Sequence, residues 1–149
     1  MNLKKILYAT DFSPASKSAL EYASSLAHDS GATLLILHVE EALVPYGSGD
    51  QVFYTQSESP NPQIRRILEA VVPVLKNVKY EHRLVQGLAA DEILRTSEDE
   101  RVDLIVLGTH GRTGLARVLM GSVAETVMRR AKCPVLTLRE RAQTEALVS

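Results

Sequence analysis

The sequence predicts an α/β fold: a five-stranded parallel, doubly wound sheet with four helices. Five short apolar runs alternate with helix-period segments, and glycine marks several of the switches between them. Continuous apolar runs of this length suit strands covered on both faces, and the strand, helix, strand alternation suits right-handed parallel units.

The first run, residues 3–10, centres on Ile6, Leu7, Tyr8 and Ala9 and ends at Asp11. Ser13 followed by Pro14 reads as a helix cap with proline at the first helical position. Ala19, Leu20, Ala23, Leu26 and Ala27 then recur on one helical face, and Gly31 stops the helix. Residues 33–39 form the second run, ending at Glu40 and Glu41. From residue 42 to 61 the pattern fails amid Pro45, Gly47, Gly49, Pro60 and several serines, so a flexible loop is expected there, as a lid, a binding segment or a disordered connection. Pro62 opens a helix with Ile64, Ile67, Leu68, Val71, Val72 and Leu75 on one face, which Pro73 should bend or shorten. Residues 78–85, the least hydrophobic run, read as an edge strand, and Gly87 introduces a helix carrying Ala90, Ile93, Leu94 and Ser97. Residues 102–107 run straight into Gly108, a helix spans residues 122–131, and residues 134–138 close the set. The whole chain, 1–149, reads as a single domain with a frayed tail at 140–149.

Composition narrows the class. A chain of 149 residues is the usual size of one domain, and at that length folding buries roughly 70% of the unfolded surface. Apolar residues at 45% and charged residues at 23% describe a soluble globular chain. A net charge of −1, from 17 basic and 18 acidic residues, offers no global field for nucleic acid or a membrane surface, so any anion site is local. The lone Cys133 excludes an internal disulfide, and four scattered histidines show no metal spacing. Asp11 interrupts the first apolar run too early for a secretory signal, which makes the cytoplasm the expected location.

Chemistry concentrates after the fourth run. Gly108, Gly111 and Gly121-Ser122 give the pattern Gly, two residues, Gly, nine residues, Gly-Ser between a buried strand and a helix. Glycine lets backbone amides approach an anion, and amides at a helix start carry partial positive charge, so a polyphosphate would suit the segment. It is neither a Walker A loop, lacking Gly-Lys-Ser or Gly-Lys-Thr, nor the compact dinucleotide fingerprint.

The stretch from Asp103 through Gly108-Thr109-His110-Gly111-Arg112, continuing at Gly121-Ser122-Val123-Ala124-Glu125 to Cys133-Pro134-Val135-Leu136, resembles the universal stress protein family. Its glycine spacing is similar to that of the ATP-binding branch. Residues 6–11, His38-Val39 and Gly87 fall in the family's order, so the similarity covers nearly the whole chain. The resemblance implies a Rossmann-like fold of the adenine nucleotide α-hydrolase kind, with strand order 3-2-1-4-5. Ligands in open α/β sheets bind beyond the carboxyl ends of strands where the order reverses. Asp11 and Gly108, ending strands one and four, would then meet in one crevice.

By that resemblance Asp11 lies near the ribose and Val39 meets adenine through its backbone. Gly108, Gly111, Gly121 and Ser122 hold ribose and phosphates, and Val123 and Ala124 add backbone amides. Ala9 and Leu107, at the strand ends, join the candidates, as does Arg112 as a phosphate contact. The implied ligand is ATP, with magnesium as an accompanying ion, and the implied assembly is a homodimer through residues 134–138.

Plainer readings stand beside these. Ser122-Val123-Ala124-Glu125 satisfies a capping box, and Asp11 could simply start the turn into the Ser13 cap. Arg112 and His110 could belong to a solvated loop face. His38 reads as a packed core histidine and Cys133 as a packed thiol, while Arg129, Arg130 and Lys132 complement a helix dipole. Three functions are therefore in view. The first is a nucleotide-responsive regulatory protein of the stress response. The second is an ATP hydrolase using Asp11 to place magnesium or water, with family likeness allowing slow hydrolysis at most. The third is a ligand-free dimeric interaction module.

Overall fold

A computed structural model describes residues 2–41, 43–56, 61–109 and 121–140. Five strands form one parallel sheet: β1 (Lys5–Ala9), β2 (Thr33–Glu40), β5 (Tyr80–Gln86), β6 (Leu104–Gly108) and β7 (Val135–Leu138). Their order is β5-β2-β1-β6-β7, the 3-2-1-4-5 order once a separate hairpin is set aside. Four helices among the described residues complete the α/β fold: α1 (Pro14–Ser30), α2 (Pro62–Glu69), α3 (Ala89–Asp99) and α4 (Ser122–Arg130).

The alternation of side chains along each strand divides the core in two. Ile6, Tyr8, Leu34, Ile36, Leu104 and Val106 face α1 and Leu68 of α2. Leu7, Leu35, Leu37, Ile105 and Leu107 face α3 and α4. Right-handed crossovers require this split, because the chain steps one way from β1 to β5 and the other way from β6 to β7. Burial of a Leu or Ile side chain contributes roughly 1.5–3 kcal/mol, so the central strands, with Ile6, Leu7, Leu34 and Ile105 fully buried, anchor the fold.

α1 begins where Ser13 Oγ accepts the Ser16 amide at 3.2 Å and ends where Gly31 takes φ 74. α2 starts under an Asn61 side-chain cap and stops at Glu69, four residues ahead of Pro73. The expected apolar face is thereby cut short: Leu68 is buried, Ile67 is exposed, and Val71, Val72 and Leu75 follow the helix. Proline disfavours the helical conformation in the residue before it, and here the helix has ended before reaching that residue. The Val71 carbonyl accepts from His82 Nε2 at 2.7 Å and Ser24 Oγ accepts the Val74 amide at 3.1 Å, which fixes the segment after α2.

Residues 42–61, expected as a flexible loop, contain regular structure. β3 (Leu43–Ser48) and β4 (Gln51–Gln56) pair as an antiparallel hairpin. Gly49 takes φ 72 at the first position of its two-residue turn, and Gly47, at φ 113, lies where a Cβ would run into the Gln51 carbonyl oxygen. Tyr46 and Phe53 are cross-strand partners with ring centroids 5.6 Å apart. Pro45 is tolerated because each strand of a lone hairpin has an unpaired edge. The tail from residue 141 onward lies outside the described residues.

At the amino end of the sheet, Asp103 Oδ2 accepts the backbone amides of Lys4 and Lys5 at 2.8 and 3.0 Å. These two bonds hold its carboxyl below the usual range. Glu100 bonds Lys5 Nζ at 2.7 Å and Arg83 at 2.8 Å, so charged groups close this end while the other end stays concave.

Candidate functional site

β1 and β6 are neighbours at the point where strand order reverses, paired Ile6 to Leu104 through Tyr8 to Val106. Beyond their carboxyl ends lies a cavity of about 550 Å³. Four chain segments supply the predicted residues. Ala9 and Asp11 come from the tip of β1, Val39 from β2, and Leu107 and Gly108 from the end of β6. Gly121, Ser122, Val123 and Ala124 come from the start of α4. Gly111, Arg112 and His110 lie outside the described residues.

Val39 reaches the cavity because β1 stops at Ala9 opposite Leu37, so β2 runs past its neighbour. Thr109 and Gly121 are joined by a hydrogen bond from the Gly121 amide to the Thr109 carbonyl, which ties the α4 start to the end of β6. Gly108 has a second reason to be glycine. A Cβ there would lie 2.9, 3.0 and 3.1 Å from the carbonyl carbon, Cβ and carbonyl oxygen of Ala15, in the first turn of α1.

The capping-box reading of Ser122 is corrected. Gly121 is the N-cap, Ser122 already lies in the helix, and no side-chain cap hydrogen bond is made. Glu125 pairs with Arg129 instead of reaching back. The first amides of α4 thus face the cavity without a side-chain cap among the described residues. α3 differs: the Glu41 carboxylate accepts the Ala89 amide at 2.8 Å, and Asp91 and Glu92 occupy its first turn. The first turns of α1, α2, α3 and α4 all border the cavity; the Ser13 and Asn61 side chains cap the first two, and the start of α3 already carries negative charge. An anion is attracted at α4 and repelled at the α3 side, where Glu40 and Glu41 also line the wall.

Asp11 makes the turn that its plainer reading expects, Oδ1 accepting the Ser13 amide at 2.9 Å, and it lines the cavity as well. Phe12 beside it takes φ 66, a left-handed conformation costing a bulky residue about 1–2 kcal/mol. A polar network underlies this turn. The Tyr8 hydroxyl donates to the Ser16 carbonyl at 2.6 Å, Ser16 Oγ donates to Thr10 Oγ1 at 2.6 Å, and Thr10 Oγ1 accepts the Phe12 amide at 3.0 Å. Burial pushes the Tyr8 phenol above its ordinary pKa, so it remains a donor.

His38, expected as a packed core histidine, is only half-buried and lines the cavity. Its Nδ1 lies 2.7 Å from the Thr10 carbonyl and its ring 4.4 Å from that of Phe12. Sequence reasoning also missed Thr10, Ser16, Glu40, Glu41 and Ile64 as lining residues. Most of them sit at or just beyond strand ends, the one positional signal that could have found them. Burial raises the pKa of the Cys133 thiol, consistent with a packed side chain. Arg130 and Lys132 pair with Asp91 and Glu98 of α3 at 3.1 and 3.4 Å, so part of the α4 cation cluster joins the two helices.

The fold and the crevice define a Rossmann-like α/β protein with a cavity at the sheet's reversal point. The chain belongs to the universal stress protein family, which it matches over residues 2–139. It is 32% identical to Universal stress protein MJ0531 of Methanocaldococcus jannaschii over 92% of this chain and 82% of that protein. It is 30% identical to Universal stress protein MJ0577 of the same organism, over 93% and 96% of the two chains. A solved structure of MJ0577 superposes with a TM-score of 0.73 at 26% identity, covering 96% of this chain and 100% of the other. A universal stress protein solved in complex with cAMP superposes with a TM-score of 0.69 at 25% identity, covering 95% and 100%. Among the described residues, no helix is long and apolar enough to cross a membrane.

Proposed function

We propose that this chain binds an adenine nucleotide, ATP, in the crevice between β1 and β6 and acts as a nucleotide-responsive regulatory protein of the stress response. The observation that carries the reading is the contrast between the start of α4 and that of α3. α4 opens on the cavity behind an N-cap glycine, whereas an acidic side chain covers the start of α3. Phosphates belong at α4, the ribose beside Asp11, and the base beside the Val39 backbone. Gly111 and Arg112 would complete the phosphate end. The cavity fits such a ligand in size, since a volume near 550 Å³ suits a small-molecule site. The family relative held with cAMP supports a nucleotide as the ligand class.

Magnesium, where it accompanies ATP, would ride on the phosphates: no cluster of three or more His, Cys, Asp or Glu side chains suited to a metal occurs among the described residues. The protein would work as one cytoplasmic domain. It would pair as a homodimer through β7, an edge strand whose Val135 and Leu136 are only half-buried in the isolated chain.

Gly121→Val tests the site. The added side chain should abolish ATP binding by calorimetry while light scattering still reports the wild-type assembly. Unchanged ATP affinity in that variant contradicts the assignment. Mass spectrometry of ligand released from gently purified protein identifies the nucleotide directly.

A further inference from the structure

We propose that His38 is the positioning residue that holds Asp11 in its ligand-facing conformation. The inference rests on the nucleotide reading above and assigns a role to a side chain that contributes no chemistry of its own. The β1–β2 ladder ends at Ala9 and Leu37, with the Thr10 amide making a last bond to the Leu37 carbonyl at 2.9 Å. Beyond that point the Thr10 carbonyl has run past the ladder. The His38 ring, carried on the next residue of β2, takes it at 2.7 Å. A carbonyl only accepts, so Nδ1 carries the proton and the tautomer is set by this contact.

The same imidazole lies 4.4 Å from the Phe12 ring, tilted by 31°. Phe12 holds φ 66, which a bulky residue keeps only where its surroundings enforce it. Asp11 therefore stands between two residues that His38 grips, Thr10 through the carbonyl and Phe12 through the ring. The local bonds, Phe12 amide to Thr10 Oγ1 and Ser13 amide to Asp11 Oδ1, close the turn from within. His38 alone among these side chains fixes it from a different strand. That grip ties the Asp11 carboxylate to β2, the strand that also carries Val39 to the cavity.

A double-mutant cycle on the full chain, read by ATP calorimetry, tests the coupling. His38→Leu is expected to weaken ATP about tenfold, and His38→Asn, whose amide can place a donor near the Nδ1 position, to recover most of that loss. In an Asp11→Ala background, His38→Leu should cost nothing further, because its effect passes through Asp11. If His38→Leu does not fold, His38→Gln replaces it, since the longer amide overreaches the Thr10 carbonyl. Losses that add across the two positions, or an Asn variant as weak as Leu, overturn the positioning role and leave the nucleotide reading intact. A wild-type protein that binds no adenine nucleotide overturns both.

Discussion

Gly108→Ala separates two reasons for a glycine at the tip of β6. If the residue serves only to let an anion approach, alanine should leave the ligand-free protein as stable as before. The structure argues otherwise, because the new Cβ would fall 2.9 Å from the Ala15 carbonyl carbon and 3.1 Å from its oxygen. Those are backbone atoms in the first turn of α1. That turn is pinned by the Ser13 cap and by the Tyr8 hydroxyl on the Ser16 carbonyl, so it cannot swing aside as a flexible side chain would. Overpacking against such a neighbour costs about 1–3 kcal/mol. Replacing glycine also restricts the unfolded chain, which returns about 0.5 kcal/mol and leaves a net loss of about 0.5–2.5 kcal/mol. A chain of this length unfolds with an entropy near 0.3 kcal/mol per kelvin, so the midpoint should fall by about 2–8 °C. Circular dichroism melts of nucleotide-free protein measure it. A midpoint within one degree or so of wild type would refute the packing argument and return Gly108 to a purely ligand-facing role.

Two further outcomes follow from the fold. Gly31→Ala should lower the melting midpoint by about 3 °C, through strain alone, since φ is 74 and an added Cβ meets nothing within 4 Å; ATP calorimetry should be unchanged. Asp103 sets part of the acid limb of stability. Its folded pKa is depressed by the Lys4 and Lys5 amides, so its contribution is present above the ordinary value of 3.8 and is lost as pH falls through the folded value. Urea titrations across that range should show wild-type stability declining, and Asp103→Asn should start lower by about 1 kcal/mol and decline less steeply.

The central strands were legible in sequence because they are buried on both faces, which writes them as uninterrupted apolar runs such as residues 33–39. The ends of α1 were legible from local chemistry alone, Ser13-Pro14 at one end and Gly31 at the other. The hairpin was not. Pro45, Gly47 and Gly49 read as breakers, yet Gly47 and Gly49 are there because the hairpin needs them, one for close strand approach and one for the turn. Gly49-Asp50 between β-branched and aromatic residues was the available signal. The α2 face was overextended because periodicity continued through Val71 and Val72, where the approach of Pro73 decides against helix. At the site, glycine spacing pointed to the right chain segments, while His38 and Thr10 stayed hidden. Their significance lies in bonds across strands, which no local pattern records.

Ser122 and Gly121 show why the site's chemistry resists reading from side chains. Four residues that fit a capping box suggest a helix closed by its own hydroxyl, but the helix starts one position earlier than that motif requires. Gly121 holds φ −72 and ψ 162, extended backbone that valine adopts readily. Conformational freedom therefore does not explain the glycine. Space remains as the explanation, since any larger residue would stand over the amides of Ser122, Val123 and Ala124, and a serine or aspartate would bond them itself. For that reason Gly121→Val should lose ATP binding while its melting midpoint falls by no more than about 3 °C, the cost of a poorer N-cap. A variant that lost stability in step with affinity would mean that the glycine serves the fold, and the open helix start would no longer be the basis of binding.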